Sequence, residues 1–127
     1  MLNLEFIEDR ENLFRAVPPN PVVWKAEFNR PSSALFKDSK GCSVDRDGDR
    51  TEKETILALE YRFKNCGVVS INAKRCRELD TYPVPKPSKR NKYHSEIHDS
   101  ENKILISNSK SRKLSLNCRV IKIPPIS

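Results

Sequence analysis

Only three glycines occur in 127 residues, too few to build a phosphate-cradling loop, and no Walker-type loop, dinucleotide fingerprint, G-x-S-x-G elbow or kinase motif is present. Dedicated nucleoside-triphosphate chemistry is therefore not expected. Long apolar runs are missing too. Nothing approaches the ~20 residues that a membrane-spanning helix needs, so no membrane association is expected. Residues 1–10 carry acids where an export signal has a basic flank and an apolar run. A cytoplasmic protein with reduced thiols is the expectation. The four cysteines, Cys42, Cys66, Cys76 and Cys118, include no C-x-x-C pair, the spacing by which one tight turn supplies two metal ligands. Neither a disulfide framework, a metal site nor a bound cofactor is expected.

What the chain has is charge, unevenly spread. The formal net charge is +7, yet positions 1–60 hold 9 Lys/Arg against 12 Asp/Glu, a balance of −3, whereas positions 61–127 hold 15 against 5, a balance of +10. A positive field concentrated on one half of a small protein attracts nucleic acid, nucleotides or an acidic protein partner. A merely solvated basic face is the competing reading. Hydrophobic residues at 36% and charged residues at 32% leave enough apolar material for one core, and a chain of this length buries about two thirds of its unfolded surface on folding.

Reading along the chain, Leu13–Val17 is a short apolar strand stopped by Pro18-Pro19-Asn20-Pro21. Residues 22–28 form a second extended segment, and Cys42–Arg46 alternates as a third strand. Thr51-Glu52-Lys53-Glu54 fits the capping box, with Ile56, Leu59 and Phe63 following at helical spacing, so the main helix covers about 51–64 with its stop at Asn65-Cys66-Gly67. A strand over 67–73 and a short helix over 74–79 come next. Prolines 83, 85 and 87 push 81–85 to a sheet edge. Residues 86–92 form an exposed basic loop, 93–98 a strand, 99–102 a turn, 103–106 an apolar piece, 109–117 a basic helix and 119–123 a final strand. This is a single α+β domain over 1–127, with a mixed or antiparallel sheet, one main helix and one or two short ones.

Three motifs carry chemistry or imitate it. Asp45-Arg46-Asp47-Gly48-Asp49 stacks carboxylates like a calcium loop, but its glycine is misplaced and Ile56 stands where a bidentate Glu belongs. It reads as a polar turn before a helix. His94, Glu96 and His98 share one face of a strand, a row able to bind metal or move protons; the competing reading is an exposed polar strand face. Lys86-Pro87-Ser88-Lys89-Arg90-Asn91-Lys92 and Lys110-Ser111-Arg112-Lys113 are basic clusters suited to phosphate contact without base readout.

The strings Leu13-Phe14-Arg15, Asn29 to Phe36, Cys42-Ser43-Val44-Asp45-Arg46 and Asn91-Lys92-Tyr93-His94 together resemble a family of small uncharacterised bacterial proteins. Its pattern is an early aromatic-Arg, Arg-x-Ser-Ser-x-x-Phe, Leu-Ser-Val-Asp-Arg and Asn-Pro-x-His, spanning most of the chain. Cys42 stands here in place of Leu, and Lys92 in place of Pro. The resemblance brings no established activity and so implies residues rather than a reaction. An early Arg ahead of a Ser segment is also similar to the opening of ADP-ribosyltransferase-like folds that hold NAD.

The residues so marked have a physical logic. Arg15, Arg30 and Arg46 can pair with phosphate, Ser32, Ser33 and Ser43 can donate hydrogen bonds, and Lys89, Arg90 and Lys92 extend the cationic surface. His94 can act as acid or base. Turn and cap service is the plain alternative for the Arg and Ser residues. The leading expectation is a domain that binds nucleic acid or a nucleotide. Its competitors are a small enzyme acting on RNA or an NAD-like substrate through His94, and a subunit of a protein complex.

Overall fold

Thr51 starts the main helix by reciprocal bonding: its hydroxyl accepts from the Glu54 amide at 3.1 Å, while the Glu54 carboxylate accepts from the Thr51 amide at 2.9 Å. That satisfies two of the four orphan donors of a helix start. The computed structural model describes residues 2–125. It contains helices α1 (Glu52–Arg62), α2 (Ala73–Glu78) and α3 (Asn108–Asn117). The strands are β1 (Asn12–Val17), β2 (Trp24–Lys25), β3 (Arg30–Pro31), β4 (Cys42–Arg46), β5 (Gly67–Asn72), β6 (Tyr82–Pro85), β7 (His94–His98) and β8 (Arg119–Lys122). Six of them form one sheet in the order β6-β7-β4-β1-β5-β8, antiparallel throughout, and β2 pairs with β3 in a separate ribbon. The expected α+β domain is what the chain forms.

Register divides the sheet into two faces. Leu13 lies opposite Ile71, and Cys42 opposite Ile97. With Val17, Val44 and Val69 they build the main core, which also receives Cys76 of α2, Leu114 of α3, Trp24, and Leu35 and Phe36 of a 3-10 turn. Each such fully buried large side chain contributes on the order of 1.5–3 kcal/mol. On the opposite face Phe14 and Val68 meet Leu59 of α1 and Cys66 in a smaller cluster. Ser43, Asp45, His94 and Glu96 continue that second face across β4 and β7, since Ser43 pairs with Glu96 and Asp45 with His94.

The edge expectation for 81–85 holds for a simple reason. The Lys86 amide donates to the His94 carbonyl at 2.9 Å, so even-numbered positions turn their N–H toward β7. Pro83 and Pro85 point their donorless nitrogens outward, which blunts the edge. Elsewhere local geometry departs from expectation. Of the extended segment 22–28 only Trp24–Lys25 is strand; Ala26–Phe28 coils into a 3-10 turn and Asn29, at φ 50°, reverses the chain. The helix stop falls within the expected Asn65-Cys66-Gly67, on Asn65 in the left-handed region at φ 56°, and Gly67 opens β5 as expected. In 103–106 only Ile106 is buried, with Ile104 and Leu105 exposed. Among the described residues no helix is long and apolar enough to cross a membrane.

Candidate functional site

Where α1 ends above β1 and β4, the second face of the sheet opens into a cleft of about 630 Å³. Ala16 of β1 gives it an apolar floor over the buried Phe14 and Leu59. Pro18 and Pro19 border it, and Ser43 and Asp45 enter from β4. Arg62, Phe63 and Lys64 come from the end of α1, Cys66 follows, and His94 enters from β7.

Asp45 organises the charges. Its side chain is 2% exposed and pairs with Arg62 at 2.7 Å and Arg50 at 3.3 Å, while Asn91 donates to its other oxygen at 3.1 Å. A carboxylate held this way fixes the Arg62 guanidinium in place, so less side-chain freedom remains to be lost when an anion binds. Arg62 also lies over the Phe63 ring at 5.4 Å, and Lys64 over Tyr61 at 5.3 Å. Lys64 has no acid within ion-pair distance among the described residues. Two cationic side chains, Arg62 and Lys64, thus enter the cleft against one carboxylate. The C-terminal end of α1 carries only about half a negative charge, so the cations prevail.

His94 is oriented by its backbone neighbour. Its Nδ1 lies 3.0 Å from the Lys86 carbonyl oxygen. A carbonyl only accepts, so Nδ1 carries the proton, and in the neutral ring Nε2 is left as a bare acceptor. The other members of the strand row behave differently: Glu96 and His98 bond each other at 2.7 Å, and Gly41 at φ 120° packs directly against the Glu96 carboxylate. Ser43, diagonal to His94 across β4 and β7, keeps an exposed side chain in the cleft.

The sequence-marked residues therefore divide. Ser43 and His94 converge on the cleft. Arg15 borders it from β1, but its side chain lies on the main-core face opposite Val69, where the guanidinium donates to the carbonyls of Leu35 at 2.8 Å and Ser43 at 2.5 Å and braces the 3-10 turn against β4. Arg30, Ser32, Ser33 and Arg46 lie elsewhere. Arg30 donates to the carbonyls of Ser115 and Cys118 at the end of α3. Ser32 donates to the Val22 carbonyl at 2.6 Å, and Ser33 opens the 3-10 turn. Arg46 is completely buried against Glu11. Lys89, Arg90 and Lys92 stand exposed on the loop beside His94.

Sequence reading took Asp45 as part of a polar turn and Phe63 as a helix residue, and passed over Arg62 and Lys64. Cations in the last turn of a helix are expected for the helix dipole alone, and only the pairing of β4 with β7 brings them opposite His94. The thiols stay neutral, since burial pushes Cys42 and Cys118 up to about 11 and Cys76 to about 12, and raises Cys66 as well. Among the described residues no three His, Cys, Asp or Glu side chains are grouped to hold a metal ion. No family model, curated protein or solved structure matches the chain.

Proposed function

We propose that the chain binds a phosphorylated ligand of nucleotide size in the cleft at the end of α1. The observation that carries this reading is the meeting of Arg62, braced at 2.7 Å by Asp45, with Lys64, which has no acid partner among the described residues, and anchored His94 beside the accessible apolar surface of Ala16, Pro18, Pro19 and Phe63. Cations on one side and an apolar, partly aromatic surface on the other match a phosphate joined to a planar base. The volume falls within the usual range for small-ligand sites, about 300–1,000 Å³. Calorimetric titration of the nucleoside 5′-monophosphates, with inorganic phosphate as a control, tests it. The expected result is salt-sensitive binding that Lys64→Gln weakens about 10- to 100-fold, the loss that follows from removing one charged hydrogen bond, with unfolding temperature unchanged. No binding at low salt, or equal affinity in the variant, overturns the reading.

One observation favours a second reading, in which the bound ester is also turned over. With Nδ1 given to the Lys86 carbonyl, Nε2 is the His94 atom left free to take a proton from a substrate. If an RNA or NAD-like substrate is consumed, His94→Asn lowers turnover about 10²- to 10⁴-fold while affinity holds. Equal turnover removes His94 from the chemistry.

A further inference from the structure

We propose that the natural ligand is a single-stranded nucleic acid, with one nucleotide seated in the cleft and the adjoining phosphates lying along the basic loop 86–92. This rests on the nucleotide reading of the cleft and adds the ligand's polymeric class. The loop holds four cations, Lys86, Lys89, Arg90 and Lys92, and no acid. None of the four has an ion-pair partner among the described residues. A mononucleotide whose phosphate is held by Arg62 and Lys64 has nothing left for them. A strand carries a phosphate at every residue and does.

Loop and cleft are mechanically one surface. At its start the Lys86 carbonyl holds His94, and at its end Asn91 holds Asp45, the brace of Arg62. Within the loop the Ser88 amide donates to the Asn91 carbonyl at 3.0 Å and the Asn91 amide to the Ser88 hydroxyl at 3.1 Å. Pro87 restricts the backbone further. A loop folded in advance spends little ordering entropy on binding. The other basic cluster does not compete for this role, because Lys110 is paired with Asp80 at 3.3 Å and Asp99 at 3.4 Å and α3 packs against the main core, on the far side of the sheet.

Single strands are favoured over duplex by the cleft itself. A paired base can reach such a pocket only by flipping out of its stack. Phe63, 47% exposed at the lip, offers a ring face of the kind on which unpaired bases stack.

Calorimetric titration of oligo(U) and oligo(dT) of one, two, four and eight nucleotides tests the proposal. Affinity is expected to rise with length and level off once the loop is filled. For roughly four phosphate contacts it should fall about 50-fold between 50 and 200 mM salt. Lys89→Ser/Arg90→Ser, both on exposed side chains, should remove about half of the gain with length, on a logarithmic scale of affinity, and leave mononucleotide affinity as it was. A blunt duplex, or polyglutamate of equal charge, should bind at least tenfold more weakly than the single strand. Binding of the mononucleotide with no gain on lengthening leaves the cleft reading standing and overturns the strand proposal, as does equal affinity for duplex or polyglutamate. Failure of the mononucleotide to bind, with oligomers held by the loop alone, overturns both.

Discussion

Replacing Glu11 by glutamine keeps the shape of the side chain and deletes the charge that faces Arg46. Both side chains are 1% exposed. The Arg46 guanidinium donates to the two Glu11 carboxylate oxygens at 2.7 and 2.6 Å and to the carbonyls of Asn3 at 2.6 Å and Phe6 at 2.8 Å. It therefore clasps the N-terminal segment to β4 as well as balancing a charge. Removing one partner of such a pair strands an ion without water and costs about 3–5 kcal/mol, a large share of the roughly 5–15 kcal/mol total of a small domain. With a urea slope of about 1–3 kcal/mol/M, the midpoint should drop by about 2 M. Trp24, the only tryptophan and 2% exposed in the main core, reports the transition by fluorescence. The double variant Glu11→Leu/Arg46→Met buries no ion. It still leaves unbonded the two carbonyls and the Glu8 amide, which donates to Glu11 at 2.7 Å. At about 1 kcal/mol each, its loss should be near 3 kcal/mol, at or below that of Glu11→Gln alone. A single variant within about 1 kcal/mol of wild type, or a double variant that loses the full sum of both singles, refutes this account of the pair.

Gly41→Ala should lower stability by about 1–3 kcal/mol, because φ of 120° is strained for any side chain and the new Cβ collides with the Glu96 carboxylate, prying it from His98; unchanged thermal unfolding contradicts this. Asp99 is held below the ordinary carboxylate range first by the Ser107 amide, at 2.8 Å, and then by Lys110. A depressed folded value means that the stabilisation is complete above the unfolded value near 4 and disappears as pH falls through the folded one. Asp99→Asn should accordingly be less stable than wild type at neutral pH, with the gap closing below about pH 4; a gap that stays constant into acid rules out the linkage.

Much of the secondary structure was legible because its signals are local. The Thr51 capping box, the prolines of β6, the apolar run of β1 with the prolines that stop it, and the alternation in β4 and β8 depend on neighbours within a few positions. The exception is a position where a residue tolerates two conformations: Asn29 adopts left-handed backbone, and a reader of sequence sees only a polar residue. The site was half legible for a different reason. Arg15, Arg30 and Arg46 are the same residue type in strand or strand-flanking positions, and only long-range pairing separates them. Arg46 meets Glu11 in the interior, Arg30 meets the carbonyls ending α3, and Arg15 alone borders the cleft. Arg62 and Lys64 looked like dipole companions of a helix end until the sheet order brought β4 and β7 beneath them.

Chemical-shift mapping of the isotope-labelled protein with a nucleoside 5′-monophosphate tests most directly whether the cleft is the ligand site. Ser43, Asp45, Phe63, Lys64 and His94 line it from three separate stretches of chain. The account predicts that the amides of these residues, with the His94 ring, shift together along one saturating curve while those of α3 stay still. Shifts confined to α3 or to the 86–92 loop, or no saturable shift at all, would contradict it.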